Sequence, residues 1–347
     1  MARRVAVILF NLGGPDAPEA VRPFLFNLFN DPAIIRLPQP LRWLLARLIS
    51  GRRAPIAREI YQHLGGRSPL LDLTRDQAAA LVTALSTGDD KVRAFIAMRY
   101  WHPMSDETAA AVAQFAPDEV VLLPLYPQFS TTTTGSSLDA WRRAAAHHGI
   151  TAPSVAVGCY PTAQGMIAAQ AAAIERVLTT LETDKPVRIL FSAHGLPKKI
   201  VDAGDPYQWQ IEQTAAAVIA ALPGEDLDAV VCYQSKVGRL EWLAPSTDDE
   251  IRRAGQDGVA LVVVPIAFVS EHSETLVELD IEYRHLAEAC GVPRYERVPA
   301  LGTDPGFIAV LAAMVTAARG GQGVRCETGA RLCPAKLTEC ACEGDAP

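Results

Sequence analysis

A chain of 347 residues, 49% hydrophobic and 20% charged, can bury a sizeable core and is long enough for about two domains, which excludes a disordered or fibrous protein. A formal net charge of −7 argues against a nucleic-acid grip over the whole surface. No apolar run approaches the roughly 18 residues of a membrane span, so the expectation is a cytoplasmic protein, at most peripheral to the inner face of the membrane.

MARRVAVILF places a basic start before a short apolar run, and Asn11-Leu12-Gly13-Gly14-Pro15 ends it without a small-residue cleavage site. It reads as a buried first strand rather than a signal peptide. Segment 30–60 is unlike its neighbours: Leu41, Leu44, Leu45, Leu48 and Ile49 share one helical stripe, with Arg42, Arg47, Arg52 and Arg53 around and beyond it. That is an interfacial, lipid-touching pattern as much as a core one. VRAFIAM, EVVLLPLY, VRILFSA, DAVVCY and GVALVVVPIAFV then alternate with alanine-rich helical stretches, as strands buried on both faces of a parallel sheet do. The pattern predicts that the series runs twice: Phe10 corresponds to Phe191 and Pro124 to Pro265, with segment 30–60 as extra length in the first half. The expected fold is therefore α/β, two similar doubly wound domains with parallel sheets. Their bounds are 1–155 (with the apolar insertion 30–60) and 156–303, followed by a C-terminal helix over 304–320 and a separate cysteine-rich tail over 321–347.

Chemistry-bearing residues gather just after the apolar runs, where open α/β sheets hold ligands. KVRAFIAMRYWHP ends on Arg99, Tyr100 and Trp101, a fixed cation beside aromatic faces that suits a flat anionic ligand, or equally an Arg capping carbonyls beside core rings. In VVLLPLYPQFSTTTTGSSLD, Ser136 or Ser137 is placed to cap the next helix. In FSAHGLP, Gly195 and Pro197 hold His194 at the sheet's edge; a histidine bonded locally in its turn is the plain alternative. Glu271, Glu274, Glu278 and Glu282 are spaced to stack along one helical face, either as a solvated acidic stripe or as a row passing a hydrated divalent cation inward. His272 beside them is a ligand or an orienting group. Trp242, in DAVVCYQSKVGRLEWLAP, is core or pocket wall.

Cys326, Cys333, Cys340 and Cys342 crowd into the last part of the chain, where no core can form without a binder. In a reducing compartment this leaves structural zinc or a [2Fe-2S] cluster, and the absence of a two-residue knuckle spacing leans towards iron and sulfur. Cys159, Cys232 and Cys290 read as packing residues.

Taken in order, NLGGP, LGGRSPL, MRYWHP, LYPQFSTTTTGSSL, FSAHGLP, YQSKVG and FVSEHSETLVELDIEY resemble the ferrochelatase family, the terminal enzymes of haem synthesis, from about residue 5 to residue 320. The resemblance implies two Rossmann-like, chelatase-type domains with porphyrin in the cleft between them. It implies insertion of ferrous iron into protoporphyrin IX, with His194 and Glu274 as catalytic pair and iron ligands, and Glu278 on an iron route that the acidic stripe would extend to Glu271. Arg99, Tyr100, Trp242 and Phe268 would surround the macrocycle, with His272 alongside, and Ile35 and Arg53 would form a lip that also faces the bilayer. The tail resembles the [2Fe-2S] extension of a subset of the family. Animal members take one ligand from the hydroxyl-rich loop, where this chain has Thr131, so all four tail cysteines would serve. Oligomeric state stays open, a homodimer included. Competing readings are a chelatase for another tetrapyrrole or metal, such as coproporphyrin with iron, and a non-catalytic haem carrier or redox sensor. The chelatase assignment requires an imidazole and an acidic helix confronting each other across a gap wide enough for a tetrapyrrole, whereas the carrier reading leaves the Glu271 to Glu282 stripe unexplained.

Overall fold

The computed structural model describes residues 2–86, 88–224, 226–236, 238 and 240–342. Two compact units divide the described residues, one within 2–159, 311–332 and 341–342, the other within 160–310 and 333–340.

The first unit is built on a five-stranded parallel sheet in the order β2-β1-β3-β4-β9, with β1 (Arg4–Asn11), β2 (Lys91–Met98), β3 (Glu119–Pro124), β4 (Ser154–Cys159) and β9 (Gly323–Cys326). The second is built on a four-stranded parallel sheet in the order β6-β5-β7-β8, with β5 (Val187–His194), β6 (Ala229–Gln234), β7 (Ala260–Pro265) and β8 (Tyr295–Arg297). Central strands β1, β3, β5 and β7 are buried almost throughout, because helices cover both faces of the sheet, while the edge strand β2 alternates. Four strands of each sheet follow one order, second-first-third-fourth, so the duplication read from sequence is present in the topology. The register corrects its alignment by one residue: Pro124 pairs with Phe10, whereas Pro265 pairs with Ser192 rather than Phe191.

The helices are α1 (Val21–Phe29), α2 (Gln39–Gln62), α3 (Leu70–Leu85), α4 (Ser105–Phe115) and α5 (Ser136–His147) in the first unit. In the second they are α6 (Gln164–Thr180), α7 (Lys198–Asp202), α8 (Tyr207–Ala221), α9 (Thr247–Asp257) and α10 (Tyr283–Ala289). Helix α11 (Pro305–Ala318) is divided between the units at 310/311. Of the segment 30–60 most is α2, which packs on the preceding α1 around Val21, Phe24, Leu25, Ala54, Tyr61 and Tyr100.

The tail is not a separate unit: Gly323–Cys326 pairs with β4 as the fifth strand of the first sheet, because the backbone of a short polar segment finds its hydrogen bonds most readily on an exposed sheet edge. Helix α2 also turns its stripe outwards. Its buried positions are the small or mixed residues Ala46, Ser50, Ala54 and Tyr61, while Leu41, Leu44 and Leu48 are at least half exposed and Leu45 and Ile49 are half-buried.

Candidate functional site

The second sheet reverses its strand order between β5 and β7, and both ionisable motifs lie at the carboxyl ends of those strands. His194 is the last residue of β5. Gly195 follows it because a Cβ there would sit 2.8 Å from the Gln234 carbonyl oxygen and 3.3 Å from the Trp242 ring. The tight approach lets the Gly195 N–H donate to that carbonyl at 2.8 Å, turning the chain and presenting the imidazole. Tyr207 steadies the strand end by donating its hydroxyl to the His194 carbonyl at 3.1 Å.

His194 Nδ1 lies 2.9 Å from Glu274 Oε2. Imidazole and acidic helix therefore do not confront each other across a tetrapyrrole-wide gap: they belong to one unit and touch. The reason is topological, since adjacent parallel strands are only about 4.8 Å apart and deliver their carboxyl-terminal loops to one place.

The acidic segment differs from the straight α-helical stripe expected of it. Glu274–Glu282 is a π-helix, and Glu271 precedes it. The Glu271 carboxylate is held by Arg297 Nη1 at 2.9 Å, by the Ala300 N–H at 2.9 Å and by the Thr275 hydroxyl, so its lone pairs are engaged inside the fold rather than offered to a passing cation. Arg297 also clamps Asp280 at 2.7 Å. His272 acts as an orienting group: its Nδ1 accepts the Glu274 N–H at 3.0 Å, which leaves the proton on Nε2, and its ring lies 4.4 Å from that of Phe268. Glu278 is held by residues the sequence did not single out. Ser235 donates to it from its N–H at 2.9 Å and its hydroxyl at 2.5 Å, Tyr283 from its hydroxyl at 3.2 Å and Gln234 from its amide at 3.3 Å. Ser235 adopts φ +65° to do so, a left-handed conformation that no residue type in YQSKVG advertises.

These contacts set the charges. Burial disfavours imidazolium at His194, but the Glu274 carboxylate and its hydrogen bond outweigh it and raise the pKa. Burial likewise opposes ionisation of Glu274, yet the charge and hydrogen bond of His194 pull it down to about 2. At Glu278 burial and the neighbouring Glu274 charge outweigh the hydrogen bonds of Ser235 and Tyr283 and the charge of His194, and push it up to about 7. Burial lowers His272, keeping it neutral. The site thus couples His194 and Glu274, each biased towards its charged form, beside a carboxyl group that burial holds close to neutrality.

In the first unit, Arg99 is not a wall cation awaiting an anion. Its Nη2 is paired at 2.7 Å with Asp31, a carboxylate 2% exposed that also accepts the hydroxyls of Tyr100, at 2.8 Å, and Ser136, at 2.5 Å. Tyr100 is fully buried and so is a core ring rather than a ligand face. Ser136 is spent on Asp31, and the hydroxyl-rich loop is capped by Ser130, whose Oγ accepts the Thr132 N–H at 3.1 Å ahead of a short π-helix, Thr131–Gly135. Ile35 and Arg53 are half-buried; so are Trp242 and Phe268 in the second unit.

The tail cysteines divide, Cys326 and Cys342 to the first unit, Cys333 and Cys340 to the second. The sulfurs of Cys326 and Cys342 gather with that of Cys159, the last residue of β4, all within 4.8 Å of one another, and Cys159 and Cys342 are 3.8 Å apart. Cys159, expected to be a packing residue, is fully buried and stands beside the two tail sulfurs. Gly158 beside it was the available signal, since a Cβ there would meet Cys342 Sγ at 2.8 Å. In the second unit, Gln210 Nε2 donates to Cys333 Sγ at 3.1 Å.

Among solved structures, SirB from Bacillus subtilis with Fe3+ matches with a TM-score of 0.55 at 11% identity, covering 92% of this chain and 96% of that one. The sirohydrochlorin chelatase SirB of Bacillus subtilis subspecies spizizenii in complex with cobalt matches at 0.50 and 10%, covering 90% and 92%. At these identities the likeness shows the fold alone, which is that of the α/β chelatases. Sequence goes further: the family model Ferrochelatase matches residues 4–319. The chain is 58% identical over 317 residues to the ferrochelatase of Caulobacter vibrioides, covering 91% of this chain and 90% of that one. It is 56% identical over 341 residues to that of Phenylobacterium zucineum, covering 98% of each. The chain belongs to the ferrochelatase family, lyases that insert iron into a porphyrin.

Proposed function

We propose that the porphyrin is protoporphyrin IX, the product protohaem, and the working groups His194, Glu274 and Glu278. The observation that carries the assignment of residues is the His194–Glu274 contact at 2.9 Å, with Glu278 raised to about 7 beside it. Metallation of a planar porphyrin releases two pyrrole protons and needs the ring to buckle so that nitrogen lone pairs meet the metal. A dication entering this site favours every ionised carboxylate and disfavours imidazolium. Glu278 loses its proton first, because its pKa is already near neutral. His194 then gives up its own and becomes the neutral base that accepts a pyrrole proton, while Glu274 keeps the ring oriented and offers its other oxygen to the iron.

The tail cysteines hold a [2Fe-2S] cluster. Three buried sulfurs within 4.8 Å of one another, those of Cys159, Cys326 and Cys342, suit thiolate ligation. With Cys333 and Cys340, five cysteines are candidates for four positions. Such a group supplies one-electron redox chemistry when bound. Peripheral membrane contact is supported by α2, whose exposed side includes Leu41, Trp43, Leu44, Leu48 and Ile56 amid arginines. Among the described residues no helix is long and apolar enough to cross a membrane.

The test is anaerobic incubation with ferrous iron and either protoporphyrin IX or coproporphyrin III, followed by optical absorption. Faster protohaem formation supports the reading. Preference for coproporphyrin moves the substrate, and retention of added haem with no insertion of iron removes the proposed chemistry.

A further inference from the structure

Away from the motifs, the end of α5 carries two adjacent histidines that reach the same carboxylate on α4. Asp106 Oδ1 lies 3.0 Å from His147 Nδ1 and 3.0 Å from His148 Nε2. The two imidazole centroids are 4.7 Å apart with planes inclined at 55°, and the two nitrogens and the oxygen all fall within 4.8 Å of one another. An ion pair needs only one imidazole. Here the second approaches with its other ring nitrogen, so two neighbouring residues that point apart on an ordinary helix are turned onto one point. The frame is fixed on both sides: His148 donates its backbone N–H to the Ala144 carbonyl at 3.0 Å as α5 ends, and Asp106 stands in the first turn of α4.

We propose that Asp106, His147 and His148 bind one borderline divalent cation of the first transition row, such as ferrous iron or zinc, in the first unit. They share no residue with the His194–Glu274 pair. Ligand atoms about 2.1 Å from a common metal and about 90° apart are about 3.0 Å from each other, which is the spacing both nitrogens keep from the carboxylate oxygen. Two imidazoles and a carboxylate are the donor set that suits ferrous iron and zinc over calcium or magnesium. Their exposure, 73% for His147, 24% for His148 and 64% for Asp106, leaves the remaining coordination positions to water.

The experiment titrates the full-length protein and its His147→Ala, His148→Ala and Asp106→Asn variants with zinc chloride, counting zinc bound per chain by calorimetry. Thiols and the catalytic carboxylates also take up zinc, so the difference between parent and variant is the readout. Each variant is expected to bind one zinc fewer, with melting temperature and iron-insertion rate unchanged. An isotherm for His147→Ala that matches the parent overturns the proposal. His147 is exposed enough that folding is not at stake.

Discussion

Glu274 Oε2 lies 2.9 Å from His194 Nδ1, and against the burial of both groups that contact is the chief cause that raises the imidazole's pKa and lowers the carboxylate's to about 2. His194→Ala removes the proton acceptor and leaves Glu274 without its cation. Iron insertion is expected to fall by about 10²–10⁴-fold, the usual contribution of a positioned general base. Porphyrin affinity, read by quenching of tryptophan fluorescence, is expected to change little. Full turnover by this variant would reject His194 as the base.

Glu278 tests the charge balance through pH. Its folded-state pKa of about 7 stands above the ordinary value of 4.5, so the folded protein holds a proton that the unfolded chain releases. That stability is fully present below pH 4.5 and lost as pH rises through 7. Glu278→Gln keeps an acceptor for Ser235 and Tyr283 but cannot ionise. Its melting temperature is expected to exceed the parent's at pH 8, by at most about 3 kcal/mol of stability, and to approach it at pH 5. The same variant should flatten the rise of insertion rate between pH 6 and 8 (about one unit each side of neutrality), because no carboxylate forms to receive the iron.

How much of this was legible in the residues follows physical lines. Strand runs such as VAVILF and GVALVVVPIAFV declared a parallel sheet because burial on both faces leaves no polar alternation. His194 and Glu274 stood out because they end apolar runs at the edge where α/β sheets bind ligands. What escaped were groups whose role depends on tertiary geometry. Nothing in the local sequence around Asp31 marks it out, yet it neutralises Arg99 from a distant part of the chain. Ser235 reaches Glu278 through a left-handed backbone, and Cys159 meets Cys342 at the end of a strand that pairs with β9. The π-helix also lay beyond a period count, since the spacing of Glu274, Glu278 and Glu282 suits an α-helix as well.

Helix α2 exposes the residues a soluble helix would bury. Replacing Leu41, Leu44 and Leu48 together by serine is expected to weaken binding to anionic phospholipid vesicles at least tenfold, because each half-exposed leucine contributes on the order of 1 kcal/mol when it enters lipid. Folding stability should stay within about 0.5 kcal/mol, as these side chains bury little in the protein. Vesicle flotation of parent and triple variant decides it. Equal flotation would dismiss α2 as the docking face.

The sulfur group makes a separate prediction. If Cys159 and Cys342 ligate the cluster, Cys159→Ala and Cys342→Ala each remove the visible iron–sulfur absorption, and Gly158→Ala weakens it because its Cβ would stand 2.8 Å from Cys342 Sγ. Iron and acid-labile sulfide analysis of the purified variants measures this independently of activity. A Cys159→Ala protein with its full absorption spectrum would return Cys159 to a packing role.

Asp31 offers the sharpest stability test, because three groups depend on one carboxylate. It accepts from Arg99, Tyr100 and Ser136, and Arg99 is only 16% exposed. Asp31→Ala leaves the Arg99 guanidinium without its counter-charge and the Tyr100 phenol without its acceptor, with only the 2.6 Å bond from Arg99 Nε to Ser136 Oγ remaining, and removing one partner of a buried ion pair costs about 3–5 kcal/mol. Asp31→Asn keeps the shape and one acceptor oxygen but loses the charge, so an intermediate loss is expected. Removing both charges with Asp31→Asn and Arg99→Met in one chain should recover part of that loss, since no buried charge is then left without its counterpart. Denaturant unfolding of the three variants measures the order: Asp31→Ala least stable, Asp31→Asn next, the double variant above it. If the double variant is instead the weakest, the network stabilises through its charge after all, and Arg99 is held for reasons other than pairing with Asp31.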